Sequence, residues 1–253
     1  MRELIKMWSN TRMVVLCAVS SALYVALLIP FKFVQIIPGL AELRPAGAIP
    51  PTVGLLFGPA GAFGAGFGNL IGDFFGTLGP GSLFGLLGNF LYGYIPYKVY
   101  QALSREDFSW KMGIRSWLAL LIAIALGGTS CAVVIGFGLE LLGIVPFKVI
   151  ANWISFNNLL FGLSLGPVIL LSTFSYIKNA GLFYKDIISD VKKSRYRLLG
   201  VVLIFVGVII ALGLGNFPEL ANQLWFLGLE GKNLLLANLS AGLGLIILGS
   251  VLV

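Results

Sequence analysis

The chain has no histidine and only two cysteines in 253 residues. The absence of histidine excludes His-based metal sites, Ser-His-Asp hydrolysis and histidine proton relays. Cys17 and Cys131 both fall inside long apolar runs, so we do not expect a disulfide framework. The phosphate-binding motif G-x-x-x-x-G-K-S/T is missing as well. We therefore predict a protein that is not an enzyme and that holds neither a metal nor another cofactor.

Charged residues are scarce too. They make up 11% of the chain, whereas 58% of the residues are hydrophobic and the mean hydropathy is +0.98. Backbone polar groups in lipid must be satisfied within one segment, and a crossing helix needs about 20 residues. The sequence therefore predicts an all-α integral membrane protein that crosses the cell membrane several times. The long apolar runs cover residues 13–31, 48–78, 82–102, 116–143, 149–177, 198–215 and 233–253.

The run 48–78 is interrupted by the segment FGPAG at residues 57–61, so it is either one kinked helix or a short helix followed by a longer one. Charge decides between them. If Gly58-Pro59 is a cytoplasmic turn, thirteen of the 17 Lys and Arg residues are cytoplasmic and four are outside. A single crossing would instead contradict the positive-inside rule. We therefore predict the hairpin and a cytoplasmic N-terminus.

The net charge of +7 is then explained by membrane insertion and by contact with anionic lipid in the bilayer, so no nucleic-acid partner is expected. No small-residue cleavage site precedes Pro30, which predicts that the first run stays as a helix. We expect a six-helix core in residues 1–197 with a short second helix, and an additional C-terminal pair of helices in residues 198–253. The predicted helices span 13–31, 48–57, 60–78, 82–102, 116–143, 149–177, 198–215 and 233–253.

Polar residues in the membrane runs gather at the outer end of the predicted bundle. Each has an ordinary explanation: Asn residues join helices, Trp153 suits an aromatic belt, Asp73 and Glu140 can be interfacial, and Glu42 can pair with Arg44. Convergence at one depth from four helices and a loop nevertheless predicts the lining of a small-molecule pocket. The candidate residues are Glu42, Arg44, Asn69, Asp73, Asn89, Tyr92, Glu140, Asn152, Trp153, Asn157 and Asn158.

Small residues form two further stripes. Gly64, Gly68, Gly72 and Gly76 recur every four residues. This ridge either forms a specific surface against the next helix, which carries Gly81, Gly85 and Gly88, or reflects ordinary packing within the chain, which we favour. On the first helix, Ala18, Ala22 and Ala26 form an alanine stripe.

The segment GLLFGPAG at residues 54–61, followed by GNLIG at 68–72, GSLFG at 81–85 and Asn89, resembles the substrate-binding S component of energy-coupling factor (ECF) transporters. The outer loop with ELRP at 42–45 most resembles S components for queuosine precursors and is less similar to those for riboflavin. The resemblance covers residues 13–177, and the chain departs from the family pattern by adding two helices after residue 197.

This resemblance implies capture of a vitamin or nucleobase-like molecule from outside the cell. It also implies that the membrane coupling subunit of an ECF module contacts Ala18, Ala22 and Ala26, and that two ATPase subunits drive uptake. An alternative remains open, namely a stand-alone secondary transporter coupled to protons or sodium through Asp73 or Glu140. Such transporters place the coupling site near the midplane and often contain inverted repeats, neither of which is evident in this sequence.

Overall fold

A computed structural model describes residues 2–32, 34–37, 41–104, 106–188, 194–217 and 231–253. The protein is an all-α integral membrane protein, as predicted, and five of its described helices are long and apolar enough to cross a membrane. The helices are α1 (Arg2–Lys6), α2 (Thr11–Phe31), α3 (Ile49–Phe57), α4 (Pro59–Asp73), α5 (Ser82–Leu103), α6 (Ile114–Leu141), α7 (Phe147–Asn179), α8 (Tyr184–Ile187), α9 (Arg197–Asn216) and α10 (Gly231–Leu252).

The predicted break in the second apolar run is confirmed. α3 ends at Phe57, Gly58 adopts a positive φ of 58°, and Pro59 opens α4. Glycine adopts that conformation without steric penalty, and proline at a first helical position loses no hydrogen bond. The two helices fold back on each other so closely that a Cβ at Gly61 would overlap the Val53 carbonyl.

The short helix α3 lies at the centre of the bundle. Every residue from Ile49 to Phe57 is buried, and α2, α4, α5, α6 and α7 all contact it. A side chain at Gly54 would overlap the backbone of Gly93 in α5, so glycine allows these two helices to touch at their backbones.

The structure corrects the predicted end of α4 and decides between the two interpretations of its glycine ridge. The helix ends at Asp73 and not at residue 78, because Gly76 has a φ of 122° that no α-helix accommodates. The glycine ridge also packs against α2 and not against α5. A Cβ at Gly68 would lie 2.9 Å from the Tyr24 ring, and one at Gly64 would overlap Ser20. Helix α5 uses its own glycine, Gly88, to approach α6.

The segments between helices divide the bundle into two ends. We call the first the cavity end. It contains a two-stranded antiparallel ribbon of β1 (Gln35–Ile37) and β2 (Ala41–Glu42), a 3₁₀ turn (Pro45–Ala48), and the connections 74–81 and 142–146.

The opposite end, which we call the basic end, contains α1, the described part of the connection 104–113, and α8. Asp107 is paired there with both Lys178 and Lys185. Burial alone would raise the pKa of Asp107, but its hydrogen bonds with these lysines lower that pKa below its ordinary value. Glu3 of α1 accepts a hydrogen bond from Lys98 at 3.0 Å, which fixes the N-terminal segment to α5.

The C-terminal helices α9 and α10 pack on each other and on α6. Their contact is made by reciprocal glycines: a Cβ at Gly207 would lie 2.6 Å from the Gly242 carbonyl oxygen, and a Cβ at Gly242 would lie 2.7 Å from the Gly207 carbonyl oxygen. Gly200 and Gly249 face each other in the same way. Such backbone contact is possible only where side chains are absent, and it holds membrane helices together by close packing.

Candidate functional site

A cavity of about 500 Å³ opens at the cavity end of the bundle. Its walls come from α2, α4, α5, α6 and α7, together with residues 42–47 and 76–81. This volume lies within the range of about 300–1,000 Å³ that is typical of small-molecule sites.

The structure brings together eight of the residues singled out in the sequence. Glu42 and Arg44 lie in residues 41–44, which we call the ribbon segment. Asn69 and Asp73 lie in α4, Asn89 in α5, and Trp153, Asn157 and Asn158 in α7; all eight line the cavity. Residues that are 116 positions apart in the chain therefore face one space, since three helices and the segment that carries Glu42 and Arg44 meet there.

The ribbon segment is held against α7 by two hydrogen bonds. The backbone N–H of Arg44 donates to Oδ1 of Asn157 at 3.0 Å, and the indole N–H of Trp153 donates to the backbone oxygen of Glu42 at 3.3 Å. Arg44 in turn lies 3.3 Å from the carboxylate of Glu42. Trp153 and Asn157 thus both line the cavity and position the segment that carries Glu42 and Arg44, which also line it.

Arg44 is the cation among the described charged residues that line the cavity. Burial alone would lower the pKa of Arg44, but the nearby acidic groups Tyr24, Glu42 and Asp73 raise that pKa above its ordinary value. The guanidinium therefore stays charged, and the cavity presents one cation beside two carboxylates.

A second network, made of hydrogen bonds and one ion pair, lies on the α4 side of the cavity. Asp73 accepts a hydrogen bond from the hydroxyl of Thr77 at 3.0 Å and lies 3.4 Å from the amide of Asn69. Lys32, which follows α2, donates to the Gly72 carbonyl at 2.7 Å and to Thr77 at 2.8 Å, and its Nζ is 3.9 Å from Asp73. The lysine thus binds the carbonyl end of α4, where the helix dipole favours a cation.

Buried tyrosines orient the remaining amides. Tyr24 donates to Oδ1 of Asn89 at 2.9 Å, while the amide of Asn89 donates to the Gly85 carbonyl at 2.9 Å. Tyr92 donates to the backbone oxygen of Asn158 at 2.8 Å, and the side-chain amide of Asn158 donates to Gly128 of α6 at 3.0 Å. Both asparagines are therefore fixed in orientation at the cavity wall.

Three of the predicted site residues do not line the cavity. Tyr92 is fully buried behind the wall, where it supports Asn158. The carboxylate of Glu140 accepts the backbone N–H of Phe147 at 2.6 Å and thereby caps the start of α7. Asn152 faces α9 and bonds Asn216. Their depth in the sequence pattern correctly predicted that these residues lie at the cavity end. Each helix is rotated, however, so that these side chains point away from the cavity.

Several lining residues were missed in the sequence. Tyr24 lies in an apolar helix, where an isolated aromatic residue gives no signal, and Thr77 was assigned to a helix that ends before it. The apolar wall carries no chemical signature either; its members on α6 and in the following connection include Ile135, Leu139, Ile144 and Val145.

The alanine stripe of α2 lies away from the cavity. Ala18, Ala22 and Ala26 are exposed, whereas Cys17 and Tyr24 on another face of the same helix are buried. The stripe is therefore available on the outside of the bundle. In the described part of the chain, no cluster of three His, Cys, Asp or Glu residues could hold a metal ion.

An all-α membrane bundle with a cavity at one end, lined by an apolar wall and several polar side chains, is an architecture suited to transport of a small molecule. The family model for QueT transporters matches residues 14–175, which is more than half of the chain. The protein therefore belongs to the QueT transporter family, which comprises ECF S components of the queuosine-precursor type. Neither the curated proteins nor the solved structures include a significant match.

Proposed function

We propose that this protein is the substrate-binding subunit of an ATP-driven ECF uptake transporter and that it captures a queuosine precursor, a deazapurine nucleobase, at the outer face of the membrane. The observation that carries the proposal is the cavity, because it combines the size of a small-molecule site with amide, carboxylate and indole groups on its wall.

The chemistry of the lining suits a planar nucleobase. Asparagine amides both donate and accept hydrogen bonds, as the edge of a base requires, and carboxylates accept from exocyclic or ring N–H groups. Asn69 and Asp73 supply these groups on one wall, and Asn157 supplies them on another. The ring of Trp153 offers an aromatic face for stacking.

The charge distribution supports capture from outside. Lys98, Lys111, Lys178 and Lys185 lie at or near the basic end, which the positive-inside rule assigns to the cytoplasm. The cavity then opens to the outer face, and the N-terminus is cytoplasmic.

The exposed stripe of Ala18, Ala22 and Ala26 supports coupling to a partner, because small side chains let another membrane helix approach closely. We propose that the membrane coupling subunit docks there and that two ATPase subunits supply the energy. The sequence contains no P-loop motif, so hydrolysis belongs to those partners.

A secondary transporter is the less favoured function. Its coupling carboxylate would have to bind and release a proton or sodium ion near the midplane. Asp73 is instead the last residue of α4 and lies beside Lys32, and Glu140 caps α7. Both carboxylates therefore have structural partners at the end of the bundle.

The experiment that tests the proposal is mass spectrometry of small molecules released from the protein purified alone, combined with equilibrium binding of 7-deazaguanine. We expect a copurifying or tightly bound deazapurine, and we expect uptake into vesicles only when an ECF module and ATP are present. An empty protein whose vesicles accumulate solute with a proton or sodium gradient alone would contradict the proposal.

A further inference from the structure

The C-terminal helices lie outside the part of the chain that the family model matches, which ends at residue 175. They are nevertheless joined to the cavity wall. Both α9 and α10 contact α6, and α9 also contacts α7. The contacts with α7 are made where that helix begins, in a region we call the α6–α7 corner, residues 140–152.

Phe147 is the centre of this junction. It is the first residue of α7 and is fully buried. On one side, a Cβ at Gly136 of α6 would lie 2.9 Å from the Phe147 ring; on the other side, a Cβ at Gly215 of α9 would overlap that ring. Leu239 of α10 lies behind Gly215, with its methyl group 3.0 Å from the position of such a Cβ. The ring is therefore clamped between the core and the C-terminal pair.

Hydrogen bonds fix the same junction. The side-chain amides of Asn152 in α7 and Asn216 in α9 donate to each other's oxygens, at 2.6 Å and 3.2 Å. Glu140 holds the backbone N–H of Phe147 from the α6 side. A reciprocal amide pair and an aromatic clamp restrict both the position and the rotation of the first turns of α7.

The clamped segment is also part of the cavity. Ile144 and Val145 precede Phe147 by three and two residues, Ile150 and Trp153 follow it within two turns, and all four line the cavity. We infer that the C-terminal helix pair positions the α6–α7 corner and thereby sets the affinity of the cavity for its ligand. Gly215, Asn216 and Phe147 are then positioning residues. This inference rests on the proposed function insofar as the cavity binds a small molecule.

The full-length chain offers a matched pair of variants to test this. In Gly215→Ala the new methyl group pushes on the Phe147 ring, whereas a Cβ at Gly213 on the same helix has nothing within 4 Å. We expect Gly215→Ala to weaken equilibrium binding of 7-deazaguanine about tenfold and Gly213→Ala to leave it unchanged. Adding Phe147→Leu removes the ring and should restore most of the affinity. Unchanged binding in both glycine variants, or an equal loss in both, would overturn the inference.

A readout that needs no ligand separates this inference from the proposed function. Cys131 lines the cavity and is buried, so its alkylation by N-ethylmaleimide in a Cys17→Ala background reports opening of the cavity wall. We expect alkylation about fivefold faster in Gly215→Ala than in Gly213→Ala, and a similar increase in Asn216→Ala. If the wild-type protein does not bind 7-deazaguanine, the proposed ligand is wrong, and the alkylation rates alone then decide whether the C-terminal pair positions the wall. Equal rates in all variants would overturn the inference.

Discussion

Lys32 follows α2 and contacts the end of α4 beside the cavity. Its side chain is 6% exposed, and its ammonium group holds the end of α4 through Gly72, holds Thr77, and lies near Asp73. A buried cation of this kind stabilises by adding charge-assisted hydrogen bonds and by neutralising a nearby carboxylate.

Replacing Lys32 by Met should therefore remove two hydrogen bonds and leave the carboxylate of Asp73 without its neighbouring cation. We expect a loss of about 1–3 kcal/mol of stability, measured as a lower apparent Tm in detergent, because the new side chain has a similar shape but no donor. Lys111→Met is the matched control, since Lys111 is exposed at the basic end. Equal Tm values for the two variants would show that the contacts of Lys32 do not stabilise the protein.

Trp153 combines an aromatic face with a donor, and two substitutions separate these contributions. Trp153→Phe keeps a ring but loses the hydrogen bond to the Glu42 carbonyl, whereas Trp153→Ala loses both. We expect Trp153→Ala to raise the Kd for 7-deazaguanine about 30-fold or more and Trp153→Phe to raise it less. Equilibrium binding on purified protein gives both values. Equal effects would mean that the ring does not stack on the ligand.

Asn157 tests the contact between α7 and the ribbon segment. Asn157→Ala removes the acceptor of the Arg44 backbone N–H, so that segment should loosen and ligand affinity should fall about tenfold. Asn179→Ala, an exposed asparagine at the last position of the same helix, should bind like the wild type. Measured dissociation rates should rise for the first variant only; unchanged rates would remove Asn157 from the site.

Much of the residue-level site could be predicted, since polar groups are rare in an apolar sequence and their depth follows from the topology. Depth does not determine which way a side chain points. Glu140 and Asn152 share a depth with Trp153, yet one caps α7 and the other bonds α9. That difference arises from the rotation of each helix about its axis when the helices pack. The sequence pattern of a single helix does not determine that rotation.

At the scale of elements, α2 presents two different faces, one buried and one exposed. One face packs on α4 through Cys17, Ser20 and Tyr24, and the other exposes Ala18, Ala22 and Ala26. The alanine stripe makes no contribution to the cavity, so a bulky residue there should affect docking of a partner without affecting capture.

Ala22→Trp is expected to leave the Kd for 7-deazaguanine within about twofold of the wild type and to stop uptake in vesicles that contain the ECF module and ATP. Ser240→Trp, which places the same bulk at an exposed position on α10, should preserve both activities. Normal uptake by Ala22→Trp would show that the coupling subunit docks elsewhere.

The close packing of α9 on α10 can be tested by adding a side chain at a glycine of the contact. Gly242→Val inserts a side chain against the Gly207 backbone and should cost about 1–3 kcal/mol of stability through overpacking. Gly244→Val on the same helix enters open space and should have little effect. Thermal unfolding of both variants in detergent decides this; equal stability would mean that the two helices do not rely on close backbone contact.

Helix existence was readable from the sequence, because long apolar runs are unambiguous in a membrane protein. The ends of the helices and the helices they pack against were harder to predict. The end of α4 depends on the positive φ of Gly76, and the glycine ridge could face either neighbouring helix until the tertiary packing selected α2.

For the whole molecule, the distribution of charge predicts orientation. With Cys17 and Cys131 both replaced by Ala, a cysteine at exposed position Gly79 reports the cavity end and one at Ser109 reports the basic end. We expect a membrane-impermeant maleimide to label the first variant on intact cells and the second only after the cells are permeabilised. The reverse pattern would invert the proposed topology.

The central position of α3 has a consequence for the route that cargo takes. Its first residue, Ile49, follows shortly after Gly47 of the cavity wall, and Gly58 at its other end lies against Tyr97 and Tyr184 near the basic end. Nine consecutive buried residues therefore plug the bundle along its axis. If the cavity binds cargo as proposed, we expect that molecule to leave through the opening by which it entered, and delivery to the other side would then require the whole subunit to reorient in the bilayer. The partner subunits proposed above would supply the energy for that movement.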